Sequence, residues 1–428
     1  MKLLFLTDNF PPEVNAPATR TLEHCREWAR RGVEVTVITC APNFPSGKIH
    51  AGYRNKLWQE EEMDGIRVIR VWSYITANSG FLKRIMDYIS FGITAFLASL
   101  FVKTDLIVAT SPQFFTAVAG WAASACKRRP WVMEVRDLWP ESIAAVGAAT
   151  GNERWFRFLE RTERFLYHRA SRVVVVTRAF KKNLVERGVP AAKVDVITNG
   201  VITQQYLGRV RDQKLHRELG LEGKKVVGYM GTHGMAHKLD FIIDCAEQAP
   251  ADVHFLFIGG GAHKQALVEQ VEKLALTNVT LLPPVPKREI GRYLSLTDIA
   301  LVPLRRSDTF KSVIPSKIFE NAAMNKPILL GVQGESQDIV ERYGAGLCFV
   351  PEDRADFLRQ LRRLTTDRAC YAEKSHNCAA LARDFDRLSL ASRMLTVLES
   401  LVAKEKRTTV PPREPVVPPR PLPTKVRI

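Results

Sequence analysis

The sequence predicts an α/β protein of two doubly wound parallel-sheet domains that face each other across a cleft, with a last helix returning to the first domain. Three observations lead there. At 428 residues the chain exceeds one ordinary core, so two domains of roughly 200 residues are expected. Short Val- and Ile-rich runs alternate with helical patterns, and runs this apolar belong to strands buried on both faces, hence to parallel sheets covered by helices. The same rhythm restarts after Asn199-Gly200.

In the first domain, expected over 1–203, the strand "KLLFL" leads into a helix, "PATRTLEHCREWARRG", where Leu22, Cys25 and Ala29 recur at helical spacing and Gly32 closes it. Strands follow at "VEVTVITC", "IRVIRVW", "DLIVAT", "PWVMEV" and "RVVVVT". The second domain, expected over 204–385, begins with "KVVGYMG" and a helix at 238–248, then "VHFLFIGGG", a helix at 263–275, "VTLLP", "IALVPL", a short helix and "PILLGV". A final helix at 386–403 packs back on the first domain. A Pro-rich basic tail, 404–428, is expected to be disordered.

The segment "IMDYISFGITAFLASLFV", 85–102, breaks the rhythm: it is nearly all apolar and is preceded by Lys83-Arg84. It reads either as a buried core helix or as a helix dipping into an anionic bilayer surface. A membrane span is disfavoured because the strand pattern continues on both sides.

The formal net charge of +17 calls for an anionic partner. Nucleic acid is the weakest reading, because the basic residues are spread along the chain without recognition motifs. Seven scattered cysteines without a C-x-x-C pair fit a reducing compartment and no zinc cage. The apolar run near the N-terminus is too short for a signal peptide, so a cytoplasmic location is expected. No G-x-G-x-x-G or P-loop follows any strand, which disfavours dinucleotide oxidoreductases and P-loop enzymes. Asp384-Phe385-Asp386 leads into the closing helix and reads as solvated or capping rather than as a metal clamp.

The chemistry then falls to strand-end loops. "TDNFPPEVNAPATR" feeds a helix N-terminus, which can hold an anion on free N–H groups. "GYMGTHGMAHKLD" and "FIGGGAHK" bring glycines and Lys238 to two more strand ends. In "SVIPSKIFENAAMNKPILLG", Ser316 is expected as an N-cap and Lys317 adds charge where the helix dipole is already positive, which suggests a bound anion. Glu320 lies one turn further in, placed to accept two hydrogen bonds from a cis-diol such as ribose. An anion site beside a diol acceptor fits a nucleoside diphosphate; a capped helix with an acid complementing its dipole is the plainer alternative. "WVMEVRDLWPES" sets Arg136, Asp137, Trp139 and Glu141 in one loop, either as a sugar site or as an ion pair pinning the loop.

Taken together, "VVVVTRAFKKNLVERGVPAAKVDVITNGV", "YMGTHGMAHKLD", "NVTLLPPVPKREIGRYLSLTDIALVPL" and "PSKIFENAAMNKPILLGVQGESQDIVERYGAG" resemble glycosyltransferase family 4, the retaining GT-B enzymes. "RDLWPES" and "IPSKIFE" are similar to the O-antigen and capsule branch, which includes N-acetyl-L-fucosamine transferases. The resemblance spans about residues 1–403. It implies two Rossmann-like domains, a nucleotide-sugar donor held mainly by the second, no metal or other cofactor, and a lipid-linked saccharide as acceptor at the inner face of the membrane. By residue it implies ribose on Glu320, diphosphate on Ser316 and Lys317, a basic contact from Lys238, and the base near Val285 to Lys287. Arg136 and Asp137 would orient acceptor or sugar. The sequence departs from the family at three places: Ser312 stands where a sugar-binding glutamate is usual, Thr232 follows Gly231 where an arginine is common, and Asn15-Ala16 replaces a glycine pair. A nucleotide-sugar 2-epimerase of the same architecture, and a binding protein without catalysis, remain as alternatives at this stage.

Overall fold

The computed structural model describes residues 1–44, 46–76, 81–111, 113–138, 153–206, 209–286 and 288–409. The first sheet contains β1 (Lys2–Leu6), β2 (Glu34–Cys40), β3 (Trp58–Met63), β4 (Ile66–Val71), β5 (Leu106–Thr110), β6 (Trp131–Val135), β7 (Arg172–Val175) and β8 (Val194–Val196). Their spatial order is β3-β4-β2-β1-β5-β6-β7-β8, parallel throughout except for the antiparallel β3–β4 edge. The second sheet contains β9 (Lys225–Met230), β10 (Val253–Ile258), β11 (Val279–Leu282), β12 (Ile299–Pro303), β13 (Ile328–Gly331) and β14 (Gly346–Cys348). It is wholly parallel in the order β11-β10-β9-β12-β13-β14. Strand order reverses between β1 and β5 and between β9 and β12, the points beside which sheets of this kind bind ligands.

Helices cover both faces of each sheet. In the first domain these are α1 (Ala16–Arg30), α2 (Phe81–Leu100), α3 (Phe114–Lys127), α4 (Glu153–Arg169) and α5 (Arg178–Glu186). In the second they are α6 (Gln213–Glu218), α7 (Leu239–Ala246), α8 (Lys264–Lys273), α9 (Ile290–Leu294), α10 (Lys317–Ala323), α11 (Glu335–Tyr343), α12 (Arg354–Thr366) and α13 (Arg368–Asp384). The long α14 (Arg387–Thr409) then crosses back to pack on α1, where the Trp28 indole N–H donates to the Ala391 carbonyl at 2.8 Å. Helix α14 runs on to Thr409 and so includes the first residues that the sequence assigned to the tail. The rest of the tail, 410–428, lies outside the described residues.

One core of the first domain lies under α2, α3 and α4, with Phe91, Ala95, Phe114 and Leu166 against Leu4 and Ile107; the other joins Cys25, Trp28 and Phe5 to Leu390, Met394 and Leu398 of α14. Helix α2 is therefore not wholly buried as a core helix would be: one face is core, and the opposite face is apolar and exposed. Among the described residues no helix is long and apolar enough to cross a membrane.

The chain passes between the domains twice, and the two crossings are bonded to each other: Val201 N–H donates to Phe385 O at 3.1 Å and Arg387 N–H to Val201 O at 2.8 Å. A Cβ on Gly200 would lie 2.1 Å from the Phe385 carbonyl oxygen, so only glycine fits this crossing. A second tie sits nearby. The Glu335 carboxylate of α11 accepts from the backbone N–H groups of Arg178 and Ala179, both at 2.7 Å, across the domain boundary and at the start of α5.

Candidate active site

Between the domains lies a cavity of about 330 Å³. Val14, Asn15, Ala16, Thr19 and Asn199 border it from the first domain; Tyr206, Thr232, Val285, Ile290, Ser316 and Glu320 from the second; and Arg387 from α14. A larger space of about 1140 Å³ opens elsewhere along the boundary, between Arg178, Glu335 and Arg393, but it borders the edge strand β8 and neither switch point. The smaller cavity is the candidate.

On the first-domain side, the loop after β1 turns into α1 at Asn15, whose side-chain oxygen accepts from Ala18 N–H at 2.8 Å while its amide donates to Asn9 at 2.7 Å. On the opposite side, Pro315 and Ser316 open α10, with Ile318 N–H closing on Pro315 O at 3.1 Å. Ser316 holds the cap position but with helical dihedrals and no side-chain cap bond, which corrects the expected N-cap. The residue lines the cavity wall.

Lys317, the first residue of α10, lies behind this wall. Its ammonium lies 4.7 Å from the centre of the Tyr229 ring, and a Cβ on Gly231 would stand 2.6 Å from its Cε. Burial pulls its pKa down to about 8, with the Glu320 carboxylate acting the other way. Gly231 is therefore the space that admits Lys317. The lysine brings a positive charge to the turn in which Thr232 stands where an arginine is common. Glu320 faces Tyr206 and Arg387: burial first, then the Glu320 charge, pushes the Tyr206 hydroxyl well above its ordinary range.

The floor of the cleft is a buried charge network. Arg20 of α1 is 1% exposed and donates to Glu134 at 3.0 Å, Ile197 O at 2.8 Å and Thr198 O at 2.6 Å. Arg387 pairs with Glu23 at 3.0 Å and donates to Gly200 O. Arg136 is buried beside them with Nε and Nη1 unbonded, its pKa pulled to about 10 by burial against the opposing effect of Glu134. Three guanidinium groups thus gather around Glu134 and Glu23, and the charges of Asp137 and Glu320 reach Arg136 and Arg387 as well. The same burial and the same arginines push the His24 pKa well below its usual value.

The predicted residues divide. Asn15, Thr232, Val285, Ser316 and Glu320 meet in one cavity, with Gly231 and Lys317 directly behind Thr232 and Ser316. Ser312 ends the 3-10 turn Asp308–Ser312 and donates to Thr309 O at 3.2 Å. Arg136 and Asp137 do not face one ligand together. They follow β6, so Arg136 joins Glu134 and Arg20 on the α1 face while Asp137 borders Ser111, Phe114 and Met133 toward α3. Lys238 is held by Asp240 at 2.6 Å in a left-handed backbone position before α7, outside the cavity wall. The glycines of "FIGGGAHK" serve packing: a Cβ on Gly259 would lie 1.8 Å from Gly231 O, and one on Gly261 2.5 Å from His233 O. Lys287, Trp139 and Glu141 lie outside the described residues. Among the described residues no group of His, Cys, Asp and Glu could hold a metal ion.

Sequence reasoning missed Tyr206, Asn199 and Arg387. All three belong to the interdomain crossings, where only the turn signal Asn199-Gly200 was visible. It also missed His233, which is fully buried beside Tyr229 with both ring nitrogens unbonded, and which burial and the nearby Lys264 and Lys317 hold neutral down to about pH 4.

Two family models match the chain, one in each domain: the glycosyl transferase 4-like domain over residues 15–200 and the glycosyl transferases group 1 over residues 224–367. WcaI of Escherichia coli (strain K12), named for glycosyl transfer in colanic acid biosynthesis, is 24% identical over 365 residues, covering 82% of this chain and 89% of its own. Anabaena HepE, solved in complex with UDP-glucose, superposes with a TM-score of 0.68 at 19% identity, over 94% of this chain and 100% of that one. WaaG, a glycosyltransferase involved in lipopolysaccharide biosynthesis, does so with 0.66 at 13%, over 92% and 99%. At such identities the superpositions speak for the fold alone, and the fold is GT-B. With a group-specific model on each of two facing domains and the cavity at their switch points, the chain belongs to the glycosyltransferases that pair a 4-like domain with a group 1 domain.

Proposed function

We propose that the protein moves a sugar, with retention, from a nucleotide diphosphate donor to a hydroxyl of a polyprenyl-diphosphate-linked saccharide during synthesis of a surface polysaccharide, without a metal. The observation that carries this reading is the meeting of Ser316 and Glu320 on the cavity wall, with the Lys317 ammonium behind them against Tyr229. In it, Glu320 takes the ribose diol and the α10 start with Lys317 takes the diphosphate. The base stacks near Val285, and UDP is the donor nucleotide. Ser312, a small hydroxyl in place of a sugar-binding carboxylate, suits a sugar with one hydroxyl fewer, such as the 6-deoxy amino sugar N-acetyl-L-fucosamine. The relative named for colanic acid biosynthesis supports the surface-polysaccharide setting.

For retention the acceptor hydroxyl approaches the face from which the diphosphate departs, and the leaving phosphate oxygen takes its proton. The protein's part is electrostatic: Lys317 and the N–H groups of the α10 start stabilise charge growing on the diphosphate, and loss of one such donor commonly costs about 10²-fold or more in rate. Lys238 could join only after leaving Asp240. The experiment is transfer from UDP-, GDP- and dTDP-sugars to undecaprenyl-diphosphate-GlcNAc, read by mass spectrometry, with Glu320→Ala beside the wild type. Transfer from a UDP-sugar is expected, with kcat/KM about 10- to 100-fold lower in the variant, the effect of losing hydrogen bonds to a charged group. Wild-type kinetics in the variant would overturn the ribose assignment.

A further inference from the structure

The larger space along the domain boundary, about 1140 Å³, has no part in the proposed transfer. On the first-domain side it is bordered by the start of α5, with Arg178 and Lys182, and by Val196 and Thr198 at the end of β8. On the second-domain side lies one face of α11, where Glu335, Asp338, Ile339, Arg342 and Tyr343 recur at steps of three, one, three and one. Arg383 at the end of α13 and Arg393 of α14 complete the border.

Five cationic side chains and three carboxylates line this space. Two of the carboxylates are already engaged. Both oxygens of Glu335 accept backbone N–H groups at 2.7 Å, and Asp384 accepts the Tyr343 hydroxyl at 2.7 Å while standing 3.9 Å from Arg383. Lys182 approaches Glu186 of its own helix at 3.9 Å. Arg178, Arg342 and Arg393 are exposed and make no ion pair among the described residues, and Arg342 lies over the Tyr343 ring at 5.3 Å. Three guanidinium groups from three helices, on both sides of the boundary, thus border one space without carboxylate partners. The two cavities are neighbours. β8 leads into the first crossing, and Thr198 and Phe385 border the larger cavity while Asn199 and Arg387 border the smaller, so the bonded crossings stand between the two. Drawing the walls of one cavity together therefore parts the walls of the other.

We infer that the larger cavity binds a small molecule carrying two phosphate groups, held between Arg178 and Arg393 on the first-domain side and Arg342 on the second, and that its binding weakens the smaller cavity's hold on its nucleotide. The chemistry selects the class: guanidinium forks match phosphate oxygens two at a time, and an anion placed among like charges relieves their mutual repulsion. A single phosphate meets one wall, whereas cations on both walls suit a ligand with a phosphate for each. The space is ample for a phosphorylated sugar, since pockets for ligands of that size run to about 300–1,000 Å³. A ligand bonded to both walls draws them together, and the geometry of the crossings turns that movement into a wider smaller cavity. The inference goes beyond the proposed function and rests on it only in taking UDP as the reporter of the smaller cavity.

The test is calorimetric titration of the full-length protein with fructose 1,6-bisphosphate, with and without saturating UDP, and of UDP with and without the bisphosphate. The bisphosphate is expected to bind in both cases. It should weaken UDP binding by about fivefold or more, and UDP should weaken bisphosphate binding by the same factor, as linkage requires. Arg342→Glu with Arg393→Glu should lower bisphosphate affinity by at least about tenfold, the effect of losing charge-assisted hydrogen bonds, and keep UDP binding. No bisphosphate binding, or binding unchanged in the double variant, would overturn the site, and so would binding that UDP abolishes altogether, since the bisphosphate would then occupy the donor cavity. Equal UDP affinity with and without the bisphosphate would overturn the coupling. If the double variant is misfolded by circular dichroism, Arg178→Ala on the opposite wall decides in its place. Bisphosphate binding without UDP binding removes the donor reading and leaves the site standing, whereas UDP binding alone removes only this inference.

Discussion

At the scale of single residues, Lys317 decides how the site responds to pH. Burial against Tyr229 and Gly231 holds its pKa near 8, so below that pH the free site carries the ammonium and above it mostly the amine. A bound diphosphate favours the charged form and raises that pKa. Donor affinity therefore falls as pH rises through about 8, with a limiting slope of about tenfold per pH unit until the pKa of the complex is reached. Calorimetric UDP binding on both sides of pH 8 should show this step in the wild type and lose it in Lys317→Met. The folding linkage has its own sign. Between about 8 and the ordinary lysine value of 10.5 the unfolded chain holds more protons than the folded one, so this group makes stability rise with pH across that window. The charge at Lys317 could be suspected from sequence because it opposes the helix dipole. Its seat against Gly231 could not, since that requires β9 and α10 to meet.

At the scale of elements, the sequence was clearest where burial is two-sided. β1, β2, β5 and β6 read directly from their apolar runs and are buried along nearly their whole length. The strands it did not show are those that need no such run. β3 is "WQEEEM", alternately exposed on an antiparallel edge, where Glu60 pairs with Arg67 of its neighbour at 2.8 Å. β8 and β14 are three residues each at sheet edges, too short for any periodicity. The Arg136-Asp137 pair was visible as chemistry, but the strand alternation that sends the two side chains to different faces was not applied to it. The crossing segment gives a prediction at this scale. Gly200→Ala forces a methyl into the Phe385 carbonyl, and the strain of overpacking should lower stability by about 1–3 kcal/mol in urea unfolding. An unchanged midpoint would mean that the crossing yields easily.

For the whole molecule, two of the features that join the domains outside the cavity are the bonded crossings and Glu335 on the start of α5. Removing that carboxylate leaves the Arg178 and Ala179 N–H groups without their acceptor, and loss of a helix cap costs about 0.5–2 kcal/mol. Glu335→Ala should speed hydrogen exchange at those two amides while leaving the second-domain sheet protected, as measured by exchange mass spectrometry. Uniform loss of protection would point instead to global unfolding. The architecture of two facing sheets was legible from the repeated strand rhythm, but this tie was not, because it depends on one carboxylate meeting a helix residue, Ala179, 156 residues earlier in the chain. The bonded crossings have a mechanical consequence. Two separate tethers would let the domains twist and slide as well as part, whereas two strands stitched side by side behave like the pin of a door. Swinging bends both strands together and keeps their hydrogen bonds, while shearing must tear them. Thermal motion is thereby channelled into one coordinate, the one that opens and shuts the cleft.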